Sequence, residues 1–269
     1  MKFSLISLNT LGTPFFAPRI TKRYKKIASL LNTSNATVIC LQEIPTYYHL
    51  SLFRRALTNY PHVCYQKFLY GPKGGLVIFS KLPLENCAFH EFNTLGKLTN
   101  IAFYTRLLRN GILSCQIKDT KTTILTTHLL CDFHFEKAPG NKLYPIVQKQ
   151  VEDVIDRVKE LEKKGQLFLC GDFNIKKHSL LYKQILKETK VTDVFADRDK
   201  ATYAPSRVPY KFFVAKDAQI DYLFYSGSKR NITLTKKDFV LEKEEKLTNG
   251  KPSFLSDHIG LMGTFDIVF

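Results

Sequence analysis

Asn9, Glu43, His128, Asp172, Asn174, Asp221, Asp257 and His258 all stand at the ends of apolar runs. The carboxylates and amides among them are hard oxygen donors, suited to Mg2+ or Mn2+ rather than to zinc. The two histidines add an acid or base that titrates near neutrality. The chemistry such a set serves best is attack of water on a phosphate ester. A cation neutralises the non-bridging oxygens, an amide and a histidine hold the phosphoryl group, and a His–Asp pair activates water. Taken singly, each residue has an ordinary structural explanation. Asn9 suits a turn, Glu43 a solvated sheet rim, His128 a hydrogen-bonded core, and Asp257 a cap. What argues for a site is that all of them border apolar strands, whose buried scaffold holds such side chains rigidly.

The elements that must position these residues follow from periodicity. Leu167-Phe168-Leu169-Cys170 reads as a short buried strand that stops at Gly171 and delivers Asp172 and Asn174. Lys2 to Leu8 reads as a first strand ending in Asn9. Thr37 to Leu41 reads as a second, delivering Gln42 and Glu43. Leu76 to Phe79, Asn100 to Leu108, Ile112 to Ile117 and Thr122 to Thr127 are further strands, the last delivering His128. Ile220 to Tyr225 carries Asp221 at its entrance, and Ser256-Asp257-His258 leads into a final apolar run, Ile259 to Phe269. Apolar spacing predicts a helix from Ile20 through Leu31, with Lys22, Arg23, Lys25 and Lys26 on its opposite, polar face. Further helices are predicted at Tyr47 to Leu57, Val147 to Leu161 and His178 to Glu188. Strands outnumber helices, and the helices fall between two sets of strands. The class is therefore α/β, as two packed sheets flanked by helices.

The chain of 269 residues, 44% hydrophobic and with 21 Phe and 13 Tyr, can bury a sizeable core. It shows no linker, repeat or low-complexity run, so residues 1–269 read as one domain. The formal charge of +16 implies attraction to polyanions, either nucleic acid or an anionic membrane surface. The six cysteines, at 40, 64, 87, 115, 131 and 170, form no CxxC pair, and several lie in apolar runs. Buried thiols in a reducing compartment are expected rather than disulfides. With no apolar leader and no 18-residue apolar run, the expectation is a soluble, cytoplasmic monomer without a transmembrane segment.

The motifs SLNTLG, LQEI, TTHL, GDFN, IDYLF and SDH occur in this order and span Asn9 to His258. Together they resemble the endonuclease/exonuclease/phosphatase (DNase I-like) superfamily over essentially the whole chain. The resemblance implies a four-layer α/β sandwich of two mixed β-sheets flanked by helices, and a Mg2+-dependent phosphodiester hydrolase, with Mn2+ as another possible ion. By that resemblance Glu43 is the principal metal ligand, with Asn9 beside it and Asp257 a second carboxylate near the metal. His258 matches the catalytic histidine and Asp221 the aspartate that orients it. Asp172 and Asn174 match the pair that handles the nucleophilic water and the phosphate, and His128 the phosphate-binding or acid histidine.

Within the superfamily, Leu8 to Phe15, Gly74 to Pro83, and Gly250-Lys251-Pro252 ahead of Ser256-Asp257-His258 resemble neutral sphingomyelinases. A phospholipid headgroup is then the leading substrate, with DNA or RNA the alternative. The chain departs from that branch in having no Trp and no transmembrane helix after the motifs. AP endonucleases fit less well, because Thr127-His128-Leu129 replaces their Tyr-containing motif. The loop Thr202 to Phe213 precedes Asp221 and is expected to overhang the site. Tyr210, Arg207 and Lys211 there are candidate substrate contacts, for lipid headgroups or for bases and backbone phosphates.

Overall fold

Strands that are apolar at nearly every position have both faces covered, and they set the architecture of the computed structural model. It describes residues 1–12, 19–95, 107–132, 141–207, 216–227, 231–247 and 252–268. In chain order the first strands are β1 (Lys2–Asn9), β2 (Val38–Gln42), β3 (His62–Cys64), β4 (Val77–Ser80), β5 (Leu84–Glu91), β6 (Gly111–Ile117) and β7 (Thr122–His128). Then follow β8 (Gln166–Asp172), β9 (Thr192–Asp193), β10 (Asp221–Ser226), β11 (Ile232–Val240), β12 (Glu245–Lys246), β13 (Pro252–Ser253) and β14 (Gly260–Ile267). The main helices are α1 (Ile20–Asn32), α2 (Tyr47–Ala56), α3 (Tyr144–Leu161) and α4 (Leu180–Glu188).

Two mixed six-stranded sheets result, ordered β11-β14-β1-β2-β4-β3 and β5-β6-β7-β8-β10-β9, with β12 and β13 forming a small ribbon. Side chains alternate across each strand. In β2, Val38 and Cys40 enter the core between the sheets, while Ile39 and Leu41 pack with α1 and α2. In β8, Phe168 and Cys170 face the inter-sheet core, and Leu167 and Leu169 pack beneath α3 and α4. The order of layers is helices, sheet, sheet, helices. This is the four-layer α/β sandwich expected from the sequence.

Several expectations are corrected. Leu107 and Leu108 are helical rather than the end of a strand, and the rest of the run from Asn100 lies outside the described residues. The partly exposed β5 and β11 at the sheet edges were not expected, because edge strands need no apolar face on both sides. Arg23 is not on the solvated face of α1: it is 1% exposed and packs inward with Tyr24 and Ile27. Cys64 and Cys87 form a disulfide with Cα atoms 5.9 Å apart, while Cys40, Cys115 and Cys170 are the buried thiols anticipated. The bridge was invisible in the spacing because it joins β3 and β5, edge strands of opposite sheets. Disulfides persist in oxidising surroundings, so the cysteines no longer support a cytoplasmic location. Among the described residues no helix is long and apolar enough to cross a membrane.

Candidate active site

Asp172 is the centre of the site because three strands deliver partners to it. The parallel pairing of β7 with β8 sets His128 opposite Asp172, and the antiparallel pairing of β10 sets Asp221 on its other side. From the facing sheet, Asn9 at the end of β1 donates through Nδ2 to Asp172 Oδ2 at 3.0 Å. The same nitrogen donates to Glu43 Oε1 at 2.9 Å, so Asn9 joins the two sheets across the site. His258 arrives just before β14, with Nε2 3.7 Å from Asp172 Oδ2 and Nδ1 2.9 Å from Asp221 Oδ2. Asp257 Oδ1 lies 3.9 Å from His258 Nε2. His128 Nε2 stands 3.6 Å from Asp172 Oδ2.

Backbone devices hold these groups in place. Glu43 and Asn174 adopt φ of 62° and 51°, the left-handed conformation that is uncommon for side-chain-bearing residues and that turns both chains sharply after their strands. Gly12 donates its N–H to Glu43 Oε2 at 2.8 Å. A Cβ there would lie 1.8 Å from the Glu43 carbonyl oxygen, so only glycine allows this approach. The Tyr24 hydroxyl donates to that same carbonyl. Thr202 Oγ1 accepts from the backbone N–H of Ile220 and of Asp221, which fixes the entrance of β10. Ser256 Oγ donates to Asn9 O at 2.7 Å and accepts from His258 N. Beneath them, Arg23 donates to the carbonyls of Thr10, Leu11 and Leu255. It thereby ties the loop after Asn9 to the loop before His258. Thr202, Ser256 and Arg23 were missed because nothing in their sequence spacing marks a long-range positioning contact.

Burial and crowding set the protonation of the site. Burial, then Asp221, pushes the Asp172 carboxyl up to about 6, against the pull of the two histidines and Asn9. Burial also lifts Asp257 to about 6, with His258 opposing and Glu43 adding to the rise. Burial alone would disfavour a charged His258. Asp221, Asp172 and Asp257 together outweigh it and raise the imidazolium to about 10.

Two sets of donors compete as a cation site. The ligand atoms of Asp172, Asp221 and His258 lie within 4.8 Å of one another. However, His258 and Asp221 already satisfy each other as a charged pair. Glu43 instead adds to the cost of ionising Asp257, which is buried. Two like charges on hard oxygens, one of them in low dielectric, form the set that a Mg2+ or Mn2+ ion would relieve. The donor chemistry therefore fits a divalent cation at Glu43, Asp257 and Asn9.

The remaining expected contacts resolve differently. Asn174 Nδ2 donates to Leu129 O at 3.0 Å, and its N–H to Asp172 Oδ1. The side chain is thus pinned beside the His128 strand. Arg207 does not project freely towards a substrate. Its guanidinium is taken up by the carbonyls of Leu241 and Glu242 and lies 4.4 Å from the centre of the Phe254 ring. Tyr210 and Lys211 lie outside the described residues.

Residues 6–258 match the Endonuclease/Exonuclease/phosphatase family. The chain belongs to that family. Phospholipase C of Staphylococcus aureus is 24% identical over 178 residues, covering 63% of this chain and 51% of that protein. The chain thus spans about half the length of the curated relatives it matches. Sphingomyelinase C from Streptomyces griseocarneus superposes with a TM-score of 0.68 at 17% identity, over 98% of this chain and 99% of that one. TDP2 of D. rerio, solved with a single-strand DNA product, gives 0.71 at 18% identity, over 98% of both chains. At such identities the superpositions establish the family fold, the DNase I-like sandwich.

Proposed function

We propose that the chain is a divalent-cation-dependent phosphodiester hydrolase acting on choline phospholipids in the manner of a sphingomyelinase. The observation that carries the chemistry is the buried His258–Asp221 pair set across Asp172 from His128, with Glu43 and Asp257 alongside. When bound at Glu43, Asp257 and Asn9, the cation would neutralise phosphate oxygens and offset the carboxylates that keep His258 protonated. In this reading His258 Nε2 takes a proton from the attacking water, whose oxygen bonds to phosphorus. Asp221 holds the imidazole through Nδ1 and steadies its charge. The bond from phosphorus to the leaving alcohol breaks, and His128 returns a proton to that oxygen. Asn174, beside Asp172, orients the phosphoryl oxygens.

The similarity to phospholipase C supports the lipid substrate. The net charge of +16, together with the DNA-bound TDP2 fold relative, keeps a nuclease as the second reading. The test is a panel of sphingomyelin vesicles, phosphatidylcholine vesicles, single-stranded DNA and RNA, each with Mg2+ or EDTA. Phosphocholine release from vesicles, lost in EDTA, is the expected result. DNA cleavage without phosphocholine release would replace the lipid reading with the nuclease one.

A further inference from the structure

Between Glu43 and Glu85 the sequence contains no Asp or Glu, but it carries Arg54, Arg55, Lys67, Lys73 and Lys81. The same stretch exposes apolar surface. Leu69 is 83% exposed and Tyr48 58% exposed. Leu69 sits in a tight turn that is hydrogen-bonded to Tyr47, the residue before Tyr48. Phe68 N–H donates to Gly71 O, which closes a hairpin with Leu69 near its apex, flanked by the rings of Phe68 and Tyr70 at 6.2 Å. The turn docks on the start of α2: the Tyr47 hydroxyl donates to Phe68 O, and Tyr47 N–H to Tyr70 O. A Cβ at Gly71 would lie 2.6 Å from Pro45 O, so the docking is close-packed. The Tyr70 hydroxyl in turn reaches the carbonyl of Leu107, itself 44% exposed. Lys67 projects from the hairpin, and Arg55 lies two helical turns from Tyr48 on the exposed face of α2. The acid beside them, Glu91, is bound by both Lys73 and Arg109.

Topology fixes where this patch points. β3 and β2 both run antiparallel to β4, so the hairpin after Cys64 leaves the sheet at the end where Glu43 stands. Ile44 N–H donates to Gly75 O, joining the return leg of the hairpin to the residue after Glu43. The Cys64–Cys87 bridge anchors the base of the hairpin to the opposite sheet. Leu180, 67% exposed at the start of α4, stands at the same end on the other helix layer.

We propose that Tyr48, the Phe68–Tyr70 hairpin and Leu107 form a docking surface for the interfacial region of a lipid bilayer. Leu69 enters the acyl boundary, the aromatic rings lie at headgroup level, and Arg55 and Lys67 meet lipid phosphates. Aromatic and aliphatic groups beside Arg55 and Lys67, in a stretch without Asp or Glu and on the piece that also carries Glu43, match that boundary in both polarity and charge. The proposal rests on the phospholipid reading for its purpose, but binding and hydrolysis can be measured apart.

The chain has no Trp, so a Trp introduced at one position is an unshared reporter. Leu69→Trp and, at the opposite end of the sandwich, Val268→Trp are each mixed with phosphatidylcholine–phosphatidylserine vesicles carrying brominated acyl chains. Trp at 69 should be quenched and blue-shifted, and Trp at 268 should not. In flotation with unlabelled vesicles, Leu69→Asp should weaken partitioning by about tenfold or more, from the lost burial of one Leu. Its hydrolysis of a soluble aryl phosphodiester and its circular dichroism should stay unchanged. An unquenched Trp at 69, or Leu69→Asp partitioning as the parent does, overturns the proposal. So does a solution dimer that Leu69→Asp splits, which would make the patch a contact between copies. Vesicle binding through Leu69 without phospholipid turnover upholds the surface and removes the substrate reading. Phospholipid turnover that is indifferent to Leu69 does the reverse.

Discussion

Replacing Asp221 by Asn keeps the shape of the side chain and removes the charge 2.9 Å from His258 Nδ1. Both residues are at most 4% exposed, so solvent screens the pair little. Raising His258 from its ordinary value of 6.5 to about 10 corresponds to about 5 kcal/mol of net attraction from three carboxylates, after the cost of burial. Asp221 is first among the three, and one opposite charge at such range is worth roughly one to three pKa units. Asp221→Asn should therefore lower the His258 pKa by that amount and free its ring orientation. Phosphodiester hydrolysis should fall by roughly 10²–10⁴-fold, as when a general base loses its partner. The assay pairs ¹⁵N NMR titration of the His258 ring with turnover of a soluble diester across pH. Because the two residues act as one unit, the Asp221→Asn, His258→Ala double variant should lose little more than His258→Ala alone. Losses that multiply, or an unmoved His258 titration, would refute the pairing.

Four other outcomes follow from the site and its supports. Glu43→Gln should weaken divalent-cation binding by at least tenfold by calorimetry while leaving the circular dichroism spectrum intact, since it removes one charge from the facing carboxylates. In EDTA, stability should fall as pH rises from 5 to 7.5. Asp172 and Asp257, raised to about 6, hold protons in the folded state that the unfolded chain releases near 4, and this contribution is lost as pH passes their folded values. Urea melts at the two pH values check the sign. Arg23→Met should cost about 2–4 kcal/mol in the same melts, because the carbonyls of Thr10, Leu11 and Leu255 lose a buried donor. Reduction of Cys64–Cys87 should lower stability by about 2–4 kcal/mol, read as a shift in melting temperature with and without reductant.

Much of this arrangement could be read from the chain because buried strands announce themselves. β1, β7 and β8 end in Asn9, His128 and Asp172, Glu43 follows β2 directly and Asp221 opens β10, and each of these residues reaches the site. Edge strands β5 and β11 gave no such signal, since half their side chains face solvent. Arg23 was read by its charge as surface, although its helical position between Tyr24 and Ile27 on one side and three carbonyls on the other buries it. The Cys64–Cys87 bridge depends on which strand edges the two sheets bring together, and local spacing does not encode that. Arg207 lies in the expected loop, but its guanidinium turns towards the end of β11, a choice set by backbone carbonyls distant in sequence.

The most direct test of phosphodiester hydrolysis by activated water is turnover of sphingomyelin vesicles in ¹⁸O-labelled water, followed by ³¹P NMR. With Mg2+ present, the label is expected on phosphorus in the released phosphomonoester, shown by its isotope-shifted resonance. EDTA or His258→Ala should abolish the signal. Turnover in EDTA, or a phosphomonoester without the label, would contradict a cation-dependent attack of water on phosphorus.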